Sequence, residues 1–206
     1  MTDKLDLKKT LKTYFNAGKK DWEEVTHPAY RYLMIDGQGA PGGDAYVEAL
    51  ETLYPAAYGL KFFSKIELQR DYGVPPLEGL WWADDMQAYV TDGRREEWRW
   101  TMMLMVPDWI AADHVTTAFE AQTRKKPDLD FARVRLDRLE EGLSLQYLHL
   151  GPFADEAPVL ARLHNEVLAK KRLTFNGQHH EIYLSDPRRT APEKLRTILR
   201  QPVKPA

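Results

Sequence analysis

From Glu24 to Val203 the sequence passes twice through one order of segments: strand, helix, strand, strand. Each segment has its own period and is closed by turn residues, which restricts the chain to an α+β body built from two like modules. In the first half, Glu24 to Ile35 reads as a strand rich in Val, Tyr, Leu and Ile. Asp36-Gly37-Gln38-Gly39 and Pro41-Gly42-Gly43 then make a loop. Asp44 is placed to cap a helix in which Tyr46, Ala49, Leu50, Leu53 and Ala57 recur at three-four spacing towards Phe63, and Pro55 is expected to kink or split it. Leu77 to Trp82 and Glu96 to Val106 follow as strands. The polar segment between them, Ala83 to Arg95, turns at Asp92-Gly93.

A linking helix is predicted from Asp113, with Val115, Ala118, Phe119 and Gln122. In the second half, Phe131 to Leu139 and Leu143 to Leu150 read as strands joined in a tight hairpin at Glu140-Glu141-Gly142. A helix carrying Leu160, Leu163, Val167 and Leu168 on one face follows, then a strand from His180 to Leu184. The last element is a strand from Leu195 to Arg200, or a helix opened by Pro192-Glu193-Lys194. Residues 5–16 form a short amphipathic arm through Leu5, Leu7, Leu11 and Phe15. The expected organisation is one domain over 1–206. Its first module covers about 24–106, a linker helix about 113–125, and its second module about 131–203. Two such modules can pair their sheets about a pseudo-twofold axis and leave a groove for a ligand.

Composition removes several function classes. The 206 residues include no cysteine, so disulfides, thiolate nucleophiles, zinc-thiolate sites and iron–sulfur clusters are all excluded. The formal net charge is -2, which provides no electrostatic footprint for nucleic acid or an anionic membrane. No apolar run is long enough to span a bilayer, and the opening MTDKLDLKKTLKTYF has no secretory h-region. The expectation is a cytoplasmic protein, monomeric or homodimeric, with a small-molecule partner and no cofactor. No G-x-G-x-x-G follows a strand, and no P-loop or nucleophile elbow occurs. His179-His180-Glu181 lacks the helical i,i+4 spacing of a zinc motif, and adjacent strand residues point to opposite faces.

Three constellations remain. In the run His180 to Ser185, alternation puts Glu181, Tyr183 and Ser185 on one face and His180, Ile182 and Leu184 on the other. Ile182 and Leu184 are expected to face the helices, and Glu181 and Tyr183 the cleft. A mid-strand carboxylate between apolar neighbours is costly to bury without a partner. Glu181 is then either a functional acid or an exposed residue paired with Arg188 or Arg189. Trp98, Trp100, Met102 and Leu104 share one face of the long strand, with Trp81 and Trp82 beside them, and serve as core or as a binding wall. Tyr147 is a cleft candidate, whereas His149 reads as a structural histidine.

Several of these residues carry a resemblance. The runs Pro76 to Trp82, Gln146 to Pro152 and His180 to Pro187 resemble the GyrI-like small-molecule-binding family, as do Tyr32 to Gly37 and Leu195 to Val203. That resemblance implies tandem strand-helix-strand-strand (SHS2-type) modules about a groove. It also implies a buried glutamate at Glu181 that meets aromatic, often cationic, ligands. No helix-turn-helix arm precedes these motifs, so the similarity is to a stand-alone member. The Leu-Glu-Gly-Leu-Trp-Trp and His-Glu-Ile-Tyr-Leu-Ser-Asp-Pro runs are most similar to the cyclopropanoid cyclopropyl hydrolases, which detoxify DNA-alkylating natural products of the yatakemycin type. The implied chemistry is Glu181-assisted attack of water on a strained cyclopropane, with Tyr147 assisting. Trp81, Trp98, Trp100, Met102 and Tyr183 would then hold the flat ring system. The alternative is a protein that sequesters drugs without chemistry, with Glu181 as counter-charge. A gyrase-binding role, which the family name suggests, finds no acidic run to support it.

Overall fold

The computed structural model describes residues 3–84 and 94–206. In chain order the elements are helix α1 (Leu7–Thr10), strands β1 (Glu23–His27) and β2 (Tyr30–Gln38), helix α2 (Asp44–Ile66), and strands β3 (Glu78–Trp82) and β4 (Arg99–Val106). Helix α3 (Ala112–Lys125), strands β5 (Arg135–Leu139) and β6 (Gly142–Leu150), and helix α4 (Ala157–Arg162) follow. A π-helical turn (Leu163–Val167), helix α5 (Leu168–Lys171), and strands β7 (Leu173–Phe175), β8 (His179–Tyr183) and β9 (Arg196–Pro205) complete the chain. The predicted turn at Asp92-Gly93 lies outside the described residues.

The chain forms two compact units, residues 1–10 with 30–139 and residues 11–29 with 140–206. In the first unit the sheet runs β3-β4-β2-β5, all antiparallel. One face carries Leu33, Ile35, Trp81, Trp100, Met102 and Leu104. It packs under the Ala49, Leu53, Ala56 and Leu60 stripe of α2, with Val115 and Ala118 from α3 in the same core. Each fully buried side chain of this size contributes about 1.5–3 kcal/mol, enough to keep α2 continuous through Pro55 although a mid-helix proline costs about 3 kcal/mol. The helix is therefore not split at Pro55. Gly43, in extended backbone, is the N-cap, and Asp44 is the first helical residue, where its charge suits the helix dipole. Gly37 faces Trp100 across the β2–β4 pair, and a Cβ there would lie 2.0 Å from the indole ring.

In the second unit the sheet runs β1-β6-β9-β8, again antiparallel, and β7 pairs with the far end of β9. Leu145, Leu199 and Val203 on one face pack with Leu163, Val167 and Leu168 of the helical segment and with Trp22. The order strand, helix, strand, strand appears in the first unit as β2-α2-β3-β4; in the second, β6 and the helical segment are followed by three strands, with the short β7 inserted before β8 and β9. Three sequence expectations change. The segment predicted as a single strand from Glu24 divides at Pro28, which has no N–H for a ladder, into β1 paired with β6 and β2 paired with β4 and β5. The predicted hairpin at Glu140-Glu141-Gly142 is instead a link. It has the expected glycine at φ 62, but β5 pairs with β2 while β6 pairs with β1 and β9. The predicted arm at 5–16 keeps a single helical turn at Leu7–Thr10. The last element is a strand, since residues 196–202 pair along β6.

Candidate functional site

Strand β8 is short and alternates as the sequence predicts, but its faces are exchanged. Glu181 lies opposite Leu199 and Tyr183 opposite Thr197. Leu199 belongs to the cluster under the helical segment, so Glu181 and Tyr183 are on the helix side. His180 and Ile182, opposite Arg200 and Ile198, occupy the other side and are wholly buried there. Ile182 therefore does not face the helices. The reason is the buried polar group that pairs with His180. The His180 Nδ1 and Glu141 Oε1 are 2.8 Å apart, and Arg200 donates to Glu141 Oε2 at 3.0 Å, to the Tyr14 carbonyl at 2.8 Å and to Gln146 Oε1 at 3.1 Å. Burial alone would raise the Glu141 pKa. The charges and hydrogen bonds of His180 and Arg200 outweigh it and hold the group down at about 2.

On the helix side a second carboxylate lies within electrostatic reach of Glu181. Glu156 occupies the N-cap position of α4, but its side chain makes no capping hydrogen bond. The residue is 5% exposed, and its Oε1 is buried without a hydrogen-bond partner. Burial and then the neighbouring Glu181 charge push its pKa up to about 10, although the Thr197 hydroxyl beside it favours the ionised form. At neutral pH Glu156 is therefore a neutral acid. The Thr197 hydroxyl is itself buried and lacks a well-formed hydrogen bond. Glu181 keeps some access, its side chain being 15% exposed, and His179 Nε2 lies 3.5 Å from its Oε1. Arg188, considered from the sequence as a partner for Glu181, donates to Asp186 through one guanidinium edge, from Nε and Nη2, at 3.0 Å each.

Aromatic groups share this face of the sheet. Tyr183 meets the half-exposed Phe153 edge-on at 5.6 Å. Tyr147, on the same side of β6 as Leu145, packs against Trp22 at 5.7 Å. His149 Nε2 lies 3.1 Å from the Pro152 carbonyl, in keeping with a structural role. Sequence reading missed Glu156, since an acid at the start of a helix looks like an ordinary cap. Its signal was the Gly151-Pro152 stop just upstream, which turns the chain back over the sheet. Among the described residues no group of three or more His, Cys, Asp or Glu is set to hold a metal ion.

In the other unit, Trp100 and Met102 are fully buried and Trp81 nearly so, all within the core under α2. They pack on the protein's own side chains, because α2 covers that face of the sheet. Trp81 stacks with Tyr46 at 6.2 Å and meets the partly exposed Trp98 edge-on at 6.0 Å. Tyr54, Pro55, Tyr58, Phe62, Gln122 and Lys126 line a shallow depression of about 320 Å³ on α2 and α3. No described helix is long and apolar enough to cross a membrane.

Comparison with known proteins agrees with this arrangement. The model of the GyrI-like small molecule binding domain matches residues 114–204. An uncharacterized conserved protein from Listeria innocua is 40% identical over 98% of this chain and 100% of its own, with a TM-score of 0.88. A hydrolase from Listeria innocua is 38% identical over the same shares of the two chains, with a TM-score of 0.87. The C-terminal domain of EcmrR shares the fold at 9% identity, covering 90% of this chain and 98% of its own, with a TM-score of 0.59. No curated protein matches the chain. With about two residues in five shared along essentially the whole length of the Listeria proteins, the chain belongs to the GyrI-like family of small-molecule-binding proteins.

Proposed function

We propose that this protein is a hydrolase that binds a flat, largely apolar small molecule on the helix side of β8 and β9, with Glu181 as the general base. The observation that carries this reading is the β8 carboxylate itself. It is mostly enclosed, retains an accessible edge, shares its strand face with Tyr183, and adds its charge to burial in raising the Glu156 pKa. Such a group can orient and deprotonate a water molecule. The substrate class follows from the family resemblance, a cyclopropane fused to a cyclohexadienone. Strain drives its opening, and the product regains an aromatic ring, so a placed water, a base and an apolar slot are sufficient. Tyr183 and Tyr147 would supply ring surface and a hydroxyl near the carboxylate. The segment order of the two units, alike apart from the inserted β7, supports reading them as repeats of one SHS2-type module. The hydrolase from Listeria innocua, 38% identical, supports the reaction class.

The test is incubation with a spirocyclopropyl cyclohexadienone of the yatakemycin type, followed by mass spectrometry for the water adduct. The wild-type chain should form it, and Glu181→Gln should lose turnover by about 100-fold or more while still binding the ligand. A Glu181→Gln variant that turns over normally would remove the base assignment. The family match to a small-molecule-binding domain also supports a second reading, sequestration without chemistry, with Glu181 as counter-charge to an aromatic cation. Saturable ligand binding with no adduct would select it.

A further inference from the structure

Glu156 is a buried acid. It heads α4 yet does not cap it, and its Oε1 finds no partner. Thr197, 1% exposed and beside it on the sheet, likewise has a hydroxyl without a well-formed hydrogen bond. Buried polar atoms are nearly always satisfied, and an unpartnered Glu156 Oε1 on the side of the sheet that carries Glu181 calls for a polar partner. The groups that could set its protonation are few. Glu181 and His179 come from β8, His149 from β6 is engaged with Pro152, and His164 on the helical segment is held towards its neutral form by burial and by His179. Two carboxyls in unlike surroundings divide the roles of acid and base. Glu181 keeps access to solvent, and Glu156 retains its proton because burial and the Glu181 charge both oppose its ionisation.

We propose that Glu156 is the proton donor of this site, the group that receives a carbonyl oxygen of the ligand, so that the site selects a planar ring ketone. The proposal builds on the reading of Glu181 as base at the same site. Water oxygen bonds to the cyclopropane methylene, and the strained carbon–carbon bond breaks. Its electron pair passes into the dienone, which becomes a phenol by taking the Glu156 proton on oxygen. The proton of the attacking water goes to Glu181 and then returns to Glu156, so neither acid is consumed and the net change is addition of one water.

A gem-dimethyl naphthalenone, which keeps the dienone carbonyl and lacks the cyclopropane, tests the contact without turnover. In infrared difference spectra of the full chain, its carbonyl band should move to lower frequency on binding. It should stay lowered in Glu156→Gln, which keeps a neutral donor, and return to the unbound position in Glu156→Ala. With the spirocyclopropyl dienone, Glu156→Gln should lower kcat by about 100-fold and leave KM within about threefold, because the amide holds the carbonyl but transfers no proton. Its melting temperature should match the wild type, whereas a merely structural role would shift melting and KM together. A carbonyl band that does not move in the wild type, or no binding of the ketone, overturns the proposal, and so does wild-type kcat in Glu156→Gln. The two readings fail separately. If the wild type opens no cyclopropane, the hydrolase reading falls and the band shift still decides Glu156. If Glu181→Gln turns over normally while Glu156→Gln does not, the base assignment falls and the donor stands.

Discussion

Trp98 and Trp100 are neighbours in one alternating stripe, and the structure gives them different tasks. Trp100 is enclosed under α2, with its ring against Gly37, and its Nε1 lies 3.3 Å from the Gly39 carbonyl that accepts from it. Trp98 stays partly exposed at the start of the strand. Trp100→Ala should therefore cost about 3–5 kcal/mol in urea unfolding, and Trp98→Ala much less. Equal losses at the two positions would mean that this core is drawn wrongly. The pattern in the sequence named the stripe but could not separate wall from core, because both uses favour the same bulky aromatic groups. Alternation in β8 correctly put Glu181 with Tyr183 and against His180. It gave no means of telling which set met the helices.

At the scale of elements, β6, β8 and β9 are fastened together by ions. Arg200 and His180 bind Glu141 from two strands, and Arg200 also sits 4.3 Å over the Tyr14 ring. A buried pair of this kind adds little net stability against an apolar replacement, but losing one member leaves a bare charge. Glu141→Gln or Arg200→Met should destabilise by about 3–5 kcal/mol, and replacing Glu141, His180 and Arg200 together with apolar residues should cost less than either single change. Urea midpoints for the three variants check this, and additive losses would count against a coupled network. The network was hidden in the sequence. Glu141 looked like the tip of a hairpin, and only the pairing of β6 with β9 brings it to Arg200. Elsewhere the elements were plain from period and punctuation, since α2, α3, β3, β6, β8 and β9 fall close to where the pattern put them.

For the molecule as a whole, the same network sets how stability depends on pH. Burial first, and Arg200 next, lower the His27 pKa to about 4, so the folded chain refuses a proton that unfolded His27 takes near pH 6.5. This contribution is full above about pH 6.5 and is lost towards pH 4, while Glu156, protonated in the fold and ionised when unfolded, adds stability as pH falls from about 10 to 4.5. Glu141 adds a second decline, from about pH 4.5 towards 2, as the unfolded carboxylate is protonated before the folded one. Between about pH 7 and 5 the two oppose each other, so the wild-type urea midpoint should change little there and fall between about pH 5 and 3.5, whereas the His27→Gln midpoint should rise from about pH 7 to 5. A His27→Gln midpoint that keeps a constant offset from the wild type between about pH 7 and 5 contradicts the His27 assignment. Element type and the alternation around Glu181 were already legible along the chain, because periodicity and turn chemistry act over a few residues. The continuity of α2 through Pro55, the separate partners of β5 and β6, the helix-side position of Glu181 and its electrostatic reach to Glu156 belong to the folded state alone. Each depends on burial and pairing between residues far apart in the chain, where the energy of a local pattern is outweighed by what packs against it.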